Sequence, residues 1–161
     1  MRQETMTRSI PMEQWCALAR EGAAPPVTIC LEGDSMRPLI RRGKDPVTIV
    51  PLTRSLMKGD VVLFRLGARY VVHRVWKLEG SLVQTFGDNC RNPEPWFPRE
   101  QVLGQVVRYV RNGRMHRLDT PAARAWGRAW MALHPLRRCY MRLRSLVGRI
   151  YRKFFPRNER R

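Results

Sequence analysis

Apolar positions in the first two thirds of the chain come in short runs broken by glycine, aspartate, asparagine or proline, whereas in the last third they recur every three or four residues. The runs Val27-Thr-Ile-Cys-Leu31, Val47-Thr-Ile-Val50, Val61-Val-Leu-Phe64, Tyr70-Val-Val-His-Arg-Val-Trp76 and Leu82-Val-Gln-Thr-Phe86 are β-branched and aromatic, and they predict strands. Lys58-Gly59-Asp60, Gly67-Ala68 and Glu79-Gly80 supply the turns between them. Residues 87–98, with Gly87, Asp88, two asparagines and Pro93, Pro95 and Pro98, read as an irregular loop. The strand pattern resumes at 102–110, with Gly104 placed for a bulge. Asn112-Gly113 then predicts a tight hairpin into a last short strand at 115–118.

Helical spacing brackets this strand-rich centre. Met12, Trp15 and Leu18 share a face over 11–20, Glu13 sits near the positive end, and Ser9 is placed to cap. Thr120-Pro121 opens a second helix running to about 133. Pro135 interrupts it, and Leu136, Tyr140, Leu143, Val147, Ile150 and Phe154 form the apolar stripe of a third, with arginines over most of the remaining circumference. The expected organisation is a helical segment at 1–26, a core at 27–118 and a basic helical tail at 119–161.

Charge sharpens that division. The chain of 161 residues carries +18, with +4 on residues 1–107 (15 Lys/Arg against 11 Asp/Glu) and +14 on residues 108–161 (16 against 2). Such a tail faces anionic lipid, nucleic acid or an acidic partner, and its amphipathic, aromatic-flanked pattern suits a lipid interface. The same stripe would also serve a helix docked on its own domain. No apolar run is long enough to span a bilayer and the N-terminus has no apolar signal region, so a cytoplasmic origin with peripheral membrane contact is expected. Cys16, Cys30, Cys90 and Cys139 lack metal-ligand spacing. Free thiols are expected, with no metal and no cofactor.

Three residues could do acyl-transfer chemistry. Ser35 lies in the turn Gly33-Asp-Ser-Met-Arg-Pro38, where Gly33 permits close backbone approach and the Ser35 N–H can face an oxyanion. Strand alternation sets Val71, His73 and Val75 on one face and Tyr70, Val72 and Arg74 on the other. An imidazole on an apolar face is held neutral, as a base requires. Asp88, just after a strand, could reach the far nitrogen of His73 and hold its tautomer, or form a simple Asx turn over Cys90.

Taken in order, Gly33-Asp-Ser-Met-Arg-Pro38, Gly59-Asp-Val-Val-Leu-Phe64, Tyr70-Val-Val-His-Arg-Val75 and Thr85-Phe-Gly-Asp-Asn89 resemble the successive boxes of the signal peptidase I and LexA-like serine peptidase superfamily, over roughly residues 27–110. A histidine where bacterial signal peptidases and LexA-type proteins use lysine is similar to the branch with the endoplasmic-reticulum, archaeal and SipW-type signal peptidases. The resemblance implies a mainly β, partly open barrel with a short N-terminal helix and basic C-terminal helices. It implies a serine endopeptidase acting on an exported or precursor peptide, with Ser35 as nucleophile, His73 as base and Asp88 orienting His73. Asp60, Arg74 and Asn89 would support them. Gly43-Lys-Asp-Pro46 departs from the family's usual Gly-Asp turn, and residues 1–26 supply no membrane anchor. The alternatives are an inactive basic module binding anionic membrane or nucleic acid, and a LexA-like self-cleaving protein with Ala23-Ala24 as the small-residue bond.

Overall fold

In a computed structural model the described residues are 11–136. Ser9 and its expected cap, and the expected arginine-rich helix past Leu136, lie outside them. The elements are α1 (Met12–Arg20), β1 (Val27–Ile29), β2 (Val47–Pro51), β3 (Val61–Leu66), β4 (Arg69–Glu79), β5 (Leu82–Phe86), β6 (Phe97–Pro98), β7 (Val102–Arg111), β8 (Arg114–Arg117) and α2 (Pro121–Ala132). A short 3-10 turn, Arg99–Gln101, leads into β7. The strands form one antiparallel sheet in the order β1-β2-β7-β3-β4-β5-β6, with β8 paired to the far half of β7. The sheet curls into a half-barrel, so the chain is mainly β and partly open.

Alternation along β3 shows why the centre is apolar on consecutive residues. Val61 and Leu63 join Trp15, Ile49, Val72 and Val106 on one face, while Val62 and Phe64 join Val75, Val83 and Phe97 on the other. A strand buried on both faces has no polar positions to spare. The loop at 87–98 is irregular as expected until its end, where Phe97–Pro98 adds a two-residue strand to β5. Its cause is Phe97, whose ring stacks on Phe64 at 4.5 Å between centroids.

Gly104 marks a bulge for a packing reason. Pairing of β7 with β3 passes from Gly104 directly to Val102, so Leu103 is the extra residue. A Cβ on Gly104 would stand 2.6 Å from the Val50 carbonyl oxygen and 2.9 Å from the Trp15 ring. The glycine lets α1 press its tryptophan against the sheet, where the indole N–H donates to the Pro25 carbonyl at 2.7 Å. At the hairpin, Asn112 and Gly113 both take positive φ, 51° and 75°, as a type I′ turn demands.

Asp45, in the segment Gly43-Lys-Asp-Pro46, anchors the sheet to the turn region. Its wholly buried carboxylate accepts from Arg41 Nη2 at 2.8 Å and Arg111 Nη2 at 2.7 Å, and Arg111 Nη2 also donates to the Leu39 carbonyl at 2.7 Å. Burial by itself would raise the Asp45 pKa. The hydrogen bonds from Arg41 and Arg111 outweigh that and hold it far below the usual carboxylate range. Asp45→Asn is expected to destabilise the fold by about 3 kcal/mol, because it leaves two guanidinium groups with a neutral partner. Urea unfolding of the two proteins at pH 7 measures the difference.

Candidate active site

Ser35 sits in a turn whose underside is fixed by apolar anchors. Past β1 the chain runs through residues 30–33 and turns at 34–39, with Met36 and Ile40 fully buried beneath and the Ile40 N–H donating to the Met36 carbonyl at 2.9 Å. The Ser35 side chain is left half-buried at the surface. A second loop then staples this turn from the side. The Asn89 backbone N–H donates to the Ser35 carbonyl at 2.7 Å, and Asn89 Nδ2 donates to the Asp34 carbonyl at 3.2 Å.

Gly87 allows the loops to meet at His73. A Cβ there would lie 2.9 Å from His73 Nε2, 2.9 Å from the Ser35 carbonyl oxygen and 2.5 Å from Cys90 Sγ. The ring's Nε2 therefore faces the serine turn, and its Nδ1 faces Glu94, whose Oε1 is 3.3 Å away. That approach is within ion-pair distance but off the line of a hydrogen bond, so Nδ1 is buried without a hydrogen-bond partner. His73 is 4% exposed, pairs across β3 with Val62 and lies 6.1 Å from the Phe64 ring centroid. Burial pushes its pKa down to about 4, so the imidazole is neutral at physiological pH. Cys90 Sγ is 3.9 Å from Nε2. Burial first, and the Glu94 charge second, raise the Cys90 pKa, which keeps it a protonated thiol and a poor nucleophile.

Ser35, His73 and Glu94 line one groove of about 720 Å³, whose apolar walls include Ile29, Leu31, Leu63, Tyr70 and Val72. No hydrogen bond joins the Ser35 and His73 side chains among the described residues. In a site without substrate such contacts are commonly long and tighten when the acyl group enters.

Asp88 is held elsewhere than expected. Its buried carboxylate accepts from Arg74 Nε at 2.9 Å and Nη2 at 2.8 Å, a two-pronged pair with a guanidinium only 2% exposed. The cause is strand alternation, which sets Arg74 opposite to His73. A buried cation there takes the first carboxylate the neighbouring loop offers. Arg74 Nη1 also donates to the Gly59 carbonyl at 2.9 Å. Helix α2 closes over the pair at Gly127, where any Cβ would collide with Arg74 Nη1, and Trp130 Nε1 donates to the Asp88 carbonyl at 3.3 Å. Asp60 is likewise structural, accepting from Arg54 at 2.7 Å, the Met57 N–H at 2.9 Å and Gln105 at 3.3 Å.

The structure thus brings together Ser35 and His73, assigns Asp88 to Arg74, and adds Glu94, which sequence reasoning missed. A carboxylate inside a proline-rich loop gives no periodic signal; only the fold of that loop brings it to Nδ1. Neither comparison with protein-family models nor comparison with curated proteins returns a match.

The His73 shift has a testable sign. The unfolded chain binds a proton at His73 near pH 6.5 that the folded chain binds only near 4, so this group's contribution to stability is complete above pH 6.5 and is lost as the pH drops between those values. The loss from this one group is expected to reach about 3 kcal/mol. NMR titration should place the His73 midpoint near 4, and urea unfolding against pH should show a shallower slope for His73→Leu.

Proposed function

We propose that the chain is a serine endopeptidase of the signal-peptidase type, cleaving an extended segment of an exported or precursor peptide. The observation that carries this is a neutral, buried His73 turning Nε2 toward the turn that bears Ser35, inside one groove. Ser35 Oγ adds to the scissile carbonyl as His73 Nε2 takes its proton. The imidazolium then returns that proton to the leaving amine, and water, activated by the same nitrogen, hydrolyses the acyl-enzyme. Glu94 faces the other ring nitrogen, where a carboxylate stabilises the imidazolium as it forms. Asp88 acts at one remove, as a positioning residue that holds the 87–89 loop through Arg74. The groove runs beside β1, an edge of the sheet, and its Ile29, Leu31, Leu63 and Val72 walls suit apolar side chains of an extended peptide, with Glu32 and Arg69 also on the lining.

The missing Ser35–His73 hydrogen bond favours a second reading, a catalytically inactive binding module. Self-cleavage at Ala23-Ala24 is less compatible with the fold, since Ala24 is packed in the core.

Internally quenched peptides spanning precursor cleavage sites distinguish these readings. Ser35→Ala is expected to abolish cleavage, and equal cleavage by both proteins removes Ser35 from the mechanism. Glu94→Gln is expected to lower kcat by roughly 10- to 100-fold with little change in KM, as for a group acting mainly in the transition state. The rate should fall in acid with a limb set by His73 near pH 4 and level off above it.

A further inference from the structure

Helix α2 buries Gly127 and Met131 against the sheet, yet its opposite side is not the polar face that a surface helix normally shows. Ala122, Ala125, Trp126, Ala129 and Leu133 are exposed there, and Arg128 is the charged residue among them. Trp126 is 64% exposed, Leu133 47% and, just beyond the helix, Leu136 68%. The Trp126 and Trp130 rings stack with centroids 6.5 Å apart. Between Thr120 and Leu136 there is no acidic residue. Arg111, Arg117 and Arg124 already lie against Asp45, Asp119 and Asp60, whereas Arg128 is exposed on this face.

From this combination we infer that the outward face of α2 docks on an anionic lipid surface, with Trp126 and Leu133 entering the interface and Arg128 meeting a headgroup phosphate. Charge and shape select among occupants. A second copy would bring two acid-free faces together with no carboxylate to offset Arg128, and a nucleic acid could stack on Trp126 but would leave Leu133 and Leu136 uncovered, which an acyl-chain boundary accepts. Aromatic, aliphatic and cationic residues without a carboxylate match a bilayer boundary carrying negative lipid.

The face also has a defined position relative to the groove. Trp126 and Trp130 share a hollow of about 220 Å³ with Pro38, Leu39 and Tyr109, and the Trp130 indole is bonded to the Asp88 carbonyl. The docking face therefore adjoins the two loops stapled around Ser35. A chain bound through α2 holds those loops at the membrane surface. Docking stands whether or not Ser35 is a nucleophile; only its use in presenting a membrane-borne substrate rests on the peptidase reading.

The test uses the full chain with vesicles of phosphatidylcholine alone and of phosphatidylcholine mixed with phosphatidylglycerol, followed by sedimentation. The chain is expected to partition onto the anionic vesicles, and the double variant Trp126→Gln/Leu133→Gln to bind them about tenfold more weakly while keeping the wild-type circular dichroism and urea midpoint. Brominated acyl chains should quench wild-type fluorescence more than that of Trp126→Phe, which reads insertion of this ring and not attraction by the basic tail. Equal partitioning by the double variant, no preference for anionic over neutral vesicles, or no difference in quenching overturns the inference. So does Trp126-dependent dimerisation, or Trp126-dependent binding of unrelated RNA in place of lipid. Loss of peptide cleavage in Ser35→Ala with unchanged vesicle binding separates failure of one proposal from failure of the other.

Discussion

The Arg74–Asp88 ion pair is the constraint on which the rest of the site depends. Both charges are out of water, so each depends on the two hydrogen bonds it shares with the other, and removing either would leave a buried ion without its counter-charge, at a cost of about 3–5 kcal/mol. Arg74 also holds the Gly59 carbonyl, while Asp88 fixes the loop that carries Gly87 and Asn89. Through Asn89 the constraint reaches the serine turn, and through Gly127 it reaches α2. Four segments distant in sequence are therefore registered by one pair of side chains.

The same pair explains how a neutral histidine and a full charge coexist on adjacent residues. His73 and Arg74 point to opposite sides of β4, so the imidazole shares its side with Val62, Phe64 and Val75 while the guanidinium meets its carboxylate beneath α2. Were Asp88 turned toward His73, Arg74 would be stranded. The free carboxylate near the ring is instead Glu94, one-quarter exposed and close enough to respond to a proton on Nδ1. Charge that holds the fold and charge that could serve chemistry are thus kept on different faces.

Arginine has a double use in this chain. Arg41 and Arg111 on Asp45, Arg54 on Asp60, and Arg74 on Asp88 neutralise three buried carboxylates. Arg74 is buried outright, and Arg41, Arg54 and Arg111, though partly exposed, already hold a buried carboxylate. Arg128 on α2 lies exposed, with no described carboxylate on its helix to offset it. The local density of basic residues therefore says less about partners than the question of which of them already hold a carboxylate.

Local sequence determined most of the elements. β-branched runs gave the strands, Asn112-Gly113 the left-handed turn, Thr120-Pro121 the start of α2, and alternation along β4 the apolar side of His73. These follow from interactions within a few residues, where pleat, turn chemistry and capping decide the outcome. Tertiary structure decided the partners. Whether Asp88 met His73 or Arg74, whether Glu94 reached Nδ1, and whether Gly104 and Gly127 made room for Trp15 and Arg74 depended on which loops curl of the sheet brought together. The sequence of a loop specifies its polar groups, but only burial makes an unpaired charge costly enough to choose among them.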